Sequence, residues 1–317
     1  MELVDGAEGP ESELAGAGTP GVEAAKEAGV LTTIESLYRK FYGDVMGRHG
    51  ILFSIIGMEF KRRIKRPMFI ILMIMAWIAT IVPYVMYIYF ARISSNMMTL
   101  YYDPVTGEFT REMFINSYDT AASFLVLFAA FVGAKLFSES FADRTIVVYL
   151  TKPISKTDFL LSRFGTIALT LSLVSLIPVV VLYFSAIALT FKDMAWFINN
   201  FWLFVAVVAY GVLIVVTFSN ISLAFSCLTK KVYWAMASVM VFVSLSASVG
   251  NIINEMAGTE YGTLVTVWAN LRVVGYAMFQ LDSPYGINWL FSLFMLAIIN
   301  GVCFAIVFWK VTIMEIE

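Results

Sequence analysis

Six apolar stretches, each long enough to cross a lipid bilayer, constrain this chain more than any other feature of its sequence. About 20 helical residues span the roughly 30 Å of hydrocarbon in a bilayer. Polar or charged segments separate the stretches, so each one predicts a single membrane-spanning helix. The spans are predicted at residues 68–91, 114–137, 159–189, 199–228, 232–250 and 288–309, of which the fifth is the shortest.

The overall composition agrees with a membrane solvent. Hydrophobic residues make up 60% of the 317 residues and charged residues only 14%. Soluble domains are about 45–50% apolar and about 25% charged. We therefore predict an all-α polytopic membrane protein with six transmembrane helices, and a soluble enzyme is excluded.

The sequence divides into three regions. Residues 1–30 are rich in Gly, Ala and Glu and predict a disordered acidic tail in the cytoplasm. Residues 31–67 mix apolar and polar side chains at helical spacing, which predicts an amphipathic elbow helix in the headgroup layer, with a solvated helix as the alternative. Residues 68–317 form the predicted six-helix domain. The elbow region ends in a basic cluster, Lys61, Arg62, Arg63, Lys65 and Arg66.

The positions of lysine and arginine predict the orientation. With both termini in the cytoplasm, the outer segments hold only Arg92, Arg111, Lys192 and Arg272, and the other 17 of the 21 basic residues lie inside. The inverse orientation would reverse this distribution. We expect a multi-pass protein of the cell membrane, with the apolar segment 262–281 near the outer surface.

The inner loop between the second and third spans, residues 133–165, carries the most specific pattern. The second helix is expected to continue to about Glu139, and a short amphipathic helix to begin near Thr145. Ile146, Val147 and Leu150 would form the apolar face of that helix. Another protein could bind such a surface, and a tight loop without a partner is the alternative.

The end of this loop predicts a second helix start. Pro153 cannot continue the short helix and disfavours helical geometry at the residue before it. Ser155 stands three residues before Asp158, a spacing that lets each side chain satisfy a free amide of the other's turn. A new helix is therefore predicted to begin at Lys156 and to continue as the third span.

The same loop resembles a known family. The residues that carry the resemblance are Glu139, Thr145, Leu150, Pro153, Ile154, Ser155, Lys156, Leu160 and Arg163. Their order and spacing resemble the type 2 permeases of ABC exporters, in which an acidic residue precedes Gly-Thr, then Leu-x-x-Pro-[Ile/Val]-Ser-[Arg/Lys], then Leu and a base. Arg144 departs from the pattern, because the family usually has Gly there.

The resemblance implies a set of partners. Two permease chains would pair as a homodimer or heterodimer in the lipid, and two cytoplasmic ABC-type ATPase subunits would bind ATP and Mg²⁺. No Walker A pattern and hence no cofactor is expected in this chain, and no nucleic acid. The residues implied in ATPase coupling are Glu139, Arg144, Thr145, Ile146, Leu150, Pro153, Ser155 and Lys156.

Other residues fall in the remaining helices and loops. Lys230 and Lys231 would form a smaller second coupling contact or serve only as inner anchors. One face of the fifth span carries small and polar side chains, which favours helix packing over a substrate path. Asp119 is read as interfacial, and Asn220 and Asn300 as helix-to-helix hydrogen bonds. The face consists of Ala237, Ser244, Ser248 and Asn251.

Three functions remain from the sequence. A permease subunit of an ATP-driven exporter is the leading hypothesis. A membrane scaffold that anchors a larger complex without moving a solute is the second. An intramembrane enzyme is the third, and the absence of an H-E-x-x-H pair and of paired deep carboxylates disfavours it.

Overall fold

The computed structural model describes residues 48–93, 102–103, 108–133, 156–190, 192, 194–229 and 231–313. Within these ranges the chain is helical except for short turns and one pair of two-residue strands. The helices are α1 (Arg48–Ile64), α2 (Pro67–Ile93), α3 (Glu112–Phe128), α4 (Lys156–Val174), α5 (Leu176–Leu189), α6 (Met194–Asn199), α7 (Phe201–Leu228), α8 (Val232–Ala257), α9 (Val267–Met278) and α10 (Trp289–Ile313).

The predicted all-α class is confirmed. The strands β1 (Tyr102–Asp103) and β2 (Glu108–Phe109) pair antiparallel just before α3. The predicted tail, residues 1–30, and the first part of the elbow region lie outside the described residues. The rest of the elbow region contains α1, and the position of α1 in the headgroup layer stays a prediction.

Six helical segments are long and apolar enough to cross a membrane, as predicted. Because the second span is described only to Gly133, residues 134–137 of its predicted length lie outside the described part. The spans are Pro67–Phe90, Glu112–Gly133, Thr157–Leu189, Phe201–Leu228, Val232–Ala257 and Trp289–Thr312.

The predicted end of the fifth span was wrong. Helix α8 continues past residue 250 to Ala257, so it has 26 residues and is not the shortest span. Asn254 and Glu255 are polar and Ile252 and Ile253 are apolar, and the helix continues through all four residues. The helix ends at Gly258, whose φ of 60° is the left-handed conformation typical of a glycine helix end.

The third span is interrupted in its middle. Helices α4 and α5 meet at Ser175, three residues before Pro178, which has no N–H to donate and crowds the preceding turn. Two side chains bond carbonyls beside the break. The Ser175 hydroxyl donates to Leu171 O at 3.0 Å, and Trp77 Nε1 of α2 donates to Leu173 O at 2.8 Å. The sequence predicts a kink at both Pro83 and Pro178, because proline cannot donate the helical N–H. The third span is interrupted before Pro178, whereas α2 is one continuous helix across Pro83.

The spans differ in how much of their surface the chain itself covers. Half of the most apolar stretch of the second, third and fourth spans is buried, against 22%, 17% and 22% for the first, fifth and sixth. Helix α7 contacts α4, α5, α8 and α10 and forms the centre of the bundle. The first, fifth and sixth spans therefore present broad apolar faces to lipid or to another chain.

Two features of the bundle were expected from the sequence. Asn220 Nδ2 of α7 donates to Asn300 Oδ1 of α10 at 2.8 Å, which confirms the predicted hydrogen bond between helices. Asn300 Nδ2 lies 3.2 Å from Thr217 Oγ1. The segment 262–281 forms a 3-10 turn, Tyr261–Val265, followed by α9, which packs on α3, α8 and α10.

Candidate coupling site at the ends of the second and third spans

The predicted coupling loop itself is not described. Glu139, Arg144, Thr145, Ile146, Leu150, Pro153 and Ser155 lie outside the described residues, and the roles assigned to them stay predictions. Lys156 is the first residue of α4, where a helix start was predicted. The structure does describe the second span up to Gly133 and the third span from Lys156 onwards.

The last described turn of the second span, Ala129–Gly133, is π-helical. The Ser222 hydroxyl of α7 donates a short hydrogen bond to the Ala129 carbonyl. A Cβ atom on Gly133 would lie 1.5 Å from Ser222 Oγ, so only glycine fits against this serine. Wider turns of this kind occur frequently at functional sites.

Arg63 of α1 holds the same turn from the other side. Its Nη1 donates to the Val132 carbonyl at 3.0 Å. Because a wider turn shifts the hydrogen-bond pattern of the helix, carbonyls near its end need partners from elsewhere. Arg63, 69 positions earlier in the chain, supplies one of them.

The third span is held near its start by the same helix. Arg163 of α4 and Glu59 of α1 form an ion pair in which both side chains are largely buried, with relative exposures of 7% and 17%. Thr166 Oγ1 lies 3.4 Å from the other oxygen of Glu59 and donates to Ser162 O at 2.9 Å. The Arg163 guanidinium also lies 5.0 Å above the Phe159 ring.

Helix α1 therefore contacts both ends of the loop. We call the Arg63–Val132 hydrogen bond and the Glu59–Arg163 ion pair the α1 clamp. Charge-assisted contacts of this kind are stronger than neutral ones and weaken steeply with distance, so they resist separation of the helices. A force on the loop would act on α1, α3 and α4 together.

The sequence singled out one half of the clamp. Arg163 appeared there as the base that ends the family pattern, but Glu59 had no assigned role. The two residues are 104 positions apart, so no local spacing could have paired them. An acidic residue within the otherwise basic end of α1 was the only available signal.

The predicted second coupling contact is only partly described. Lys230 lies outside the described residues. Lys231 is exposed and forms the N-terminal boundary of α8, one residue before Val232. Its position in a very short connection fits either an inner anchor or a contact with a partner, so the coupling role stays a prediction.

The predicted face of the fifth span is exposed within the chain. The side chains on this face are all exposed, namely those of Ala237, Ser244, Ser248 and Asn251. The Ser248 hydroxyl donates to Ser244 O within α8 at 3.1 Å. These residues do not pack against another described helix of this chain. Packing and path both stay predictions, and close packing on this face would require another chain.

A second polar cluster joins α3 to α9 at the opposite ends of the helices. Asp119 Oδ2 lies 3.1 Å from Arg272 Nε, and Trp268 Nε1 donates to Asp119 Oδ1 at 2.9 Å. Burial lowers the pKa of Arg272, but Asp119 and the hydroxyls of Tyr285 and Tyr276 raise it by more, so its pKa lies above the usual value. Asp119 was read as a simple interfacial residue, and this partnership was missed.

Comparison with known proteins identifies the family. The family described as ABC-2 family transporter protein matches residues 53–272, more than two thirds of the chain. The chain belongs to the ABC-2 family of transporter proteins. The ABC-2 match begins in α1 and ends in α9, so it includes the α1 clamp, five of the six spans and the Asp119–Arg272 pair. A comparison with curated proteins gives no match.

Membership in the ABC-2 family confirms the family that the loop residues resemble. Together with the six apolar helices, it also confirms a multi-pass membrane protein. An ABC-2 permease is a membrane subunit and not itself the ATPase, and its general partner is an ABC ATPase. Among the described residues, no group of three His, Cys, Asp or Glu side chains is placed to hold a metal ion. The expectation that this chain binds no cofactor stays a prediction.

Proposed function

We propose that this ABC-2 chain is the permease subunit of an ATP-driven exporter, coupled to a separate cytoplasmic ATPase and working as a dimer. Its place would be the cell membrane, with both termini in the cytoplasm. The observation that carries the proposal is the α1 clamp. It ties α1 to Val132, just before the predicted inner loop of residues 133–165, and to Arg163 near the end of that loop.

The α1 clamp suggests how movement of the ATPase subunits would reach the membrane-spanning helices. Closure of the ATPase subunits on ATP would displace the loop through contacts with Glu139, Arg144 and the apolar face of the short helix. Because Arg63 and Glu59 tie α1 to both helix ends, the three helices would move as one body. Rigid-body movement of packed helices is an established way to switch a transporter between two states.

The exposed spans support a dimer. Helix α8 buries only 17% of its most apolar stretch and places Asn251 on its open face. A polar amide in a membrane helix is favourable when it finds a hydrogen-bond partner on another helix. Small side chains such as Ala237 and Ser244 would allow a second permease chain to approach closely along this face.

The decisive experiment is purification of the chain from its native membrane in mild detergent, with mass spectrometry of the proteins that accompany it. An ABC-type ATPase in about equal amount is the expected result. Recovery of other membrane subunits without a nucleotide-binding protein would contradict the proposal. It would favour the scaffold, the alternative in which the same fold anchors an assembly.

A second experiment tests coupling through the loop. Glu139→Ala and Arg144→Ala should each weaken association with the ATPase and lower ATP-driven flux in sealed vesicles, while membrane insertion stays normal. Asp282→Ala, which removes an exposed carboxylate from the loop between α9 and α10, is the matched control and should leave flux unchanged. Normal flux in both loop variants would contradict the assignment, and absence of flux in the unmodified complex would favour the scaffold.

A further inference from the structure

A small groove opens between the first and second spans beside the α1 clamp. It has a volume of about 130 Å³ and is mostly apolar. Phe69 and Leu72 of α2 form one wall, and Phe128 and Phe131 of α3 and its π-helical turn form the other. The rings of Phe69 and Phe128 meet edge to face at 5.3 Å, which gives the groove a rigid base.

Two arginines stand at one end of this groove. Arg63 lines it while donating to the Val132 carbonyl, and Arg66 lines it from the turn between α1 and α2. The Arg66 side chain is exposed, and among the described residues no salt bridge joins it to a carboxylate. Among the described residues that line the groove, the charged side chains are those of Arg63 and Arg66, and none is Asp or Glu.

We propose that this groove binds an anionic phospholipid of the bilayer. The phosphate would lie against the guanidinium of Arg66, near that of Arg63, and the upper part of one acyl chain would lie in the groove on the base formed by the Phe69 and Phe128 rings. Guanidinium groups are well suited to phosphate because their planar donors match its oxygens. The apolar walls continue the lipid-facing surface of α2, where Met68 and Ile71 are exposed.

The size of the groove favours a lipid over a free small molecule. Pockets that enclose drug-sized ligands are about 300–1,000 Å³, larger than this groove. A phospholipid needs only partial enclosure, because the bilayer solvates the rest of its chains. The proposal stands whether or not the chain transports a solute. Under the predicted orientation the site would face the cytoplasmic leaflet.

The test compares two neighbouring cations. The purified full-length chain is incubated with equal amounts of phosphatidylglycerol and phosphatidylcholine of the same acyl chains, and native mass spectrometry counts the lipids that stay bound. We expect preference for phosphatidylglycerol, and Arg66→Gln should lower this preference about fivefold. Lys65→Gln removes the same charge one residue away, outside the groove, and should change the preference less than twofold. An equal loss in both variants would overturn the proposal in favour of diffuse surface attraction.

Two further measurements separate the parts of the site. Leu72→Trp fills the groove without changing its charge and should lower retention of both lipids, while size-exclusion profiles stay unchanged. Unchanged retention would show that the acyl chain does not occupy the groove, which overturns the proposal. Excess inorganic phosphate should not displace the bound lipid. Full displacement would identify a site for a free anion instead.

Discussion

The Glu59–Arg163 ion pair is the most direct target for a test of the α1 clamp. Glu59→Gln keeps the size of the side chain but removes its charge. Arg163, whose side chain is only 7% exposed, would then remain charged beside a neutral amide. We expect this change to loosen α1 from the start of α4 and to destabilise the whole bundle.

The expected magnitude follows from the burial of the pair. Removing one partner of a buried ion pair costs up to about 3–5 kcal/mol when the remaining charge has no other contact. Arg163 keeps its contact with the Phe159 ring, and Glu59 is 17% exposed and partly screened by solvent, so we expect a cost below that range. A loss of about 2–3 kcal/mol corresponds to a fall in Tm of about 5–10 °C.

A double-variant cycle in detergent measures the interaction. Thermal unfolding is followed for E59Q, R163Q and the double variant, with Asp282→Asn in the loop between α9 and α10 as the matched control. The double variant should lose about 1–2 kcal/mol less than the two single losses together. Additive losses, or single losses no larger than that of the control, would refute the clamp.

Three further predictions concern other contacts. Gly133→Ala should lower the free energy of unfolding by about 1–3 kcal/mol in denaturant titrations, because its Cβ would lie 1.5 Å from Ser222 Oγ. Asp119→Asn and Arg272→Gln should each lower Tm in thermal unfolding, because the pair is mostly buried, with side-chain exposures of 25% and 27%. The double variant should lower Tm by less than the sum of the two single losses. Asn300→Leu should cost about 0.6–1.7 kcal/mol in the same titrations through loss of its hydrogen bonds to α7.

Each of these predictions has a control in the same chain. Gly301→Ala on α10 meets no atom within 4 Å and should be nearly neutral, so an equal effect at both glycines would contradict the close packing at the π-helical turn. Asp282→Asn removes an exposed carboxylate and should leave Tm unchanged. Asn199→Leu on α6 changes an exposed amide, and a cost as large as that at Asn300 would show that the hydrogen bonds to α7 are not the cause.

The sequence predicted features that depend on local pattern. Apolar length identifies a membrane span because the bilayer thickness is nearly constant, and all six spans were located. The break before Pro178 follows from the missing N–H of proline. Helix-to-helix hydrogen bonding was predicted for Asn220 and Asn300 separately, because a deep amide in lipid must find a partner, and the structure shows that they bond each other.

Features that depend on tertiary packing were missed. Glu59 and Arg163 lie 104 positions apart, and Asp119 and Trp268 lie 149 positions apart, so no spacing rule connects them. The end of the fifth span was placed too early because Asn251 begins a more polar stretch that nevertheless stays helical. Burial and pairing are decided by neighbouring helices, which a single sequence does not display.

Because of the interruption at Ser175, the two spans that flank the loop should differ in stiffness. A rod with a joint bends at the joint, so a tilt applied to α4 would be absorbed there instead of reaching the far end of α5. Helix α3 has no such joint between Asp119 and Phe128. Beyond its π-helical turn, Ala129–Gly133, the second span would therefore be the stiffer of the two and carry displacement to Arg272 and α9, whereas the third would bend at Ser175.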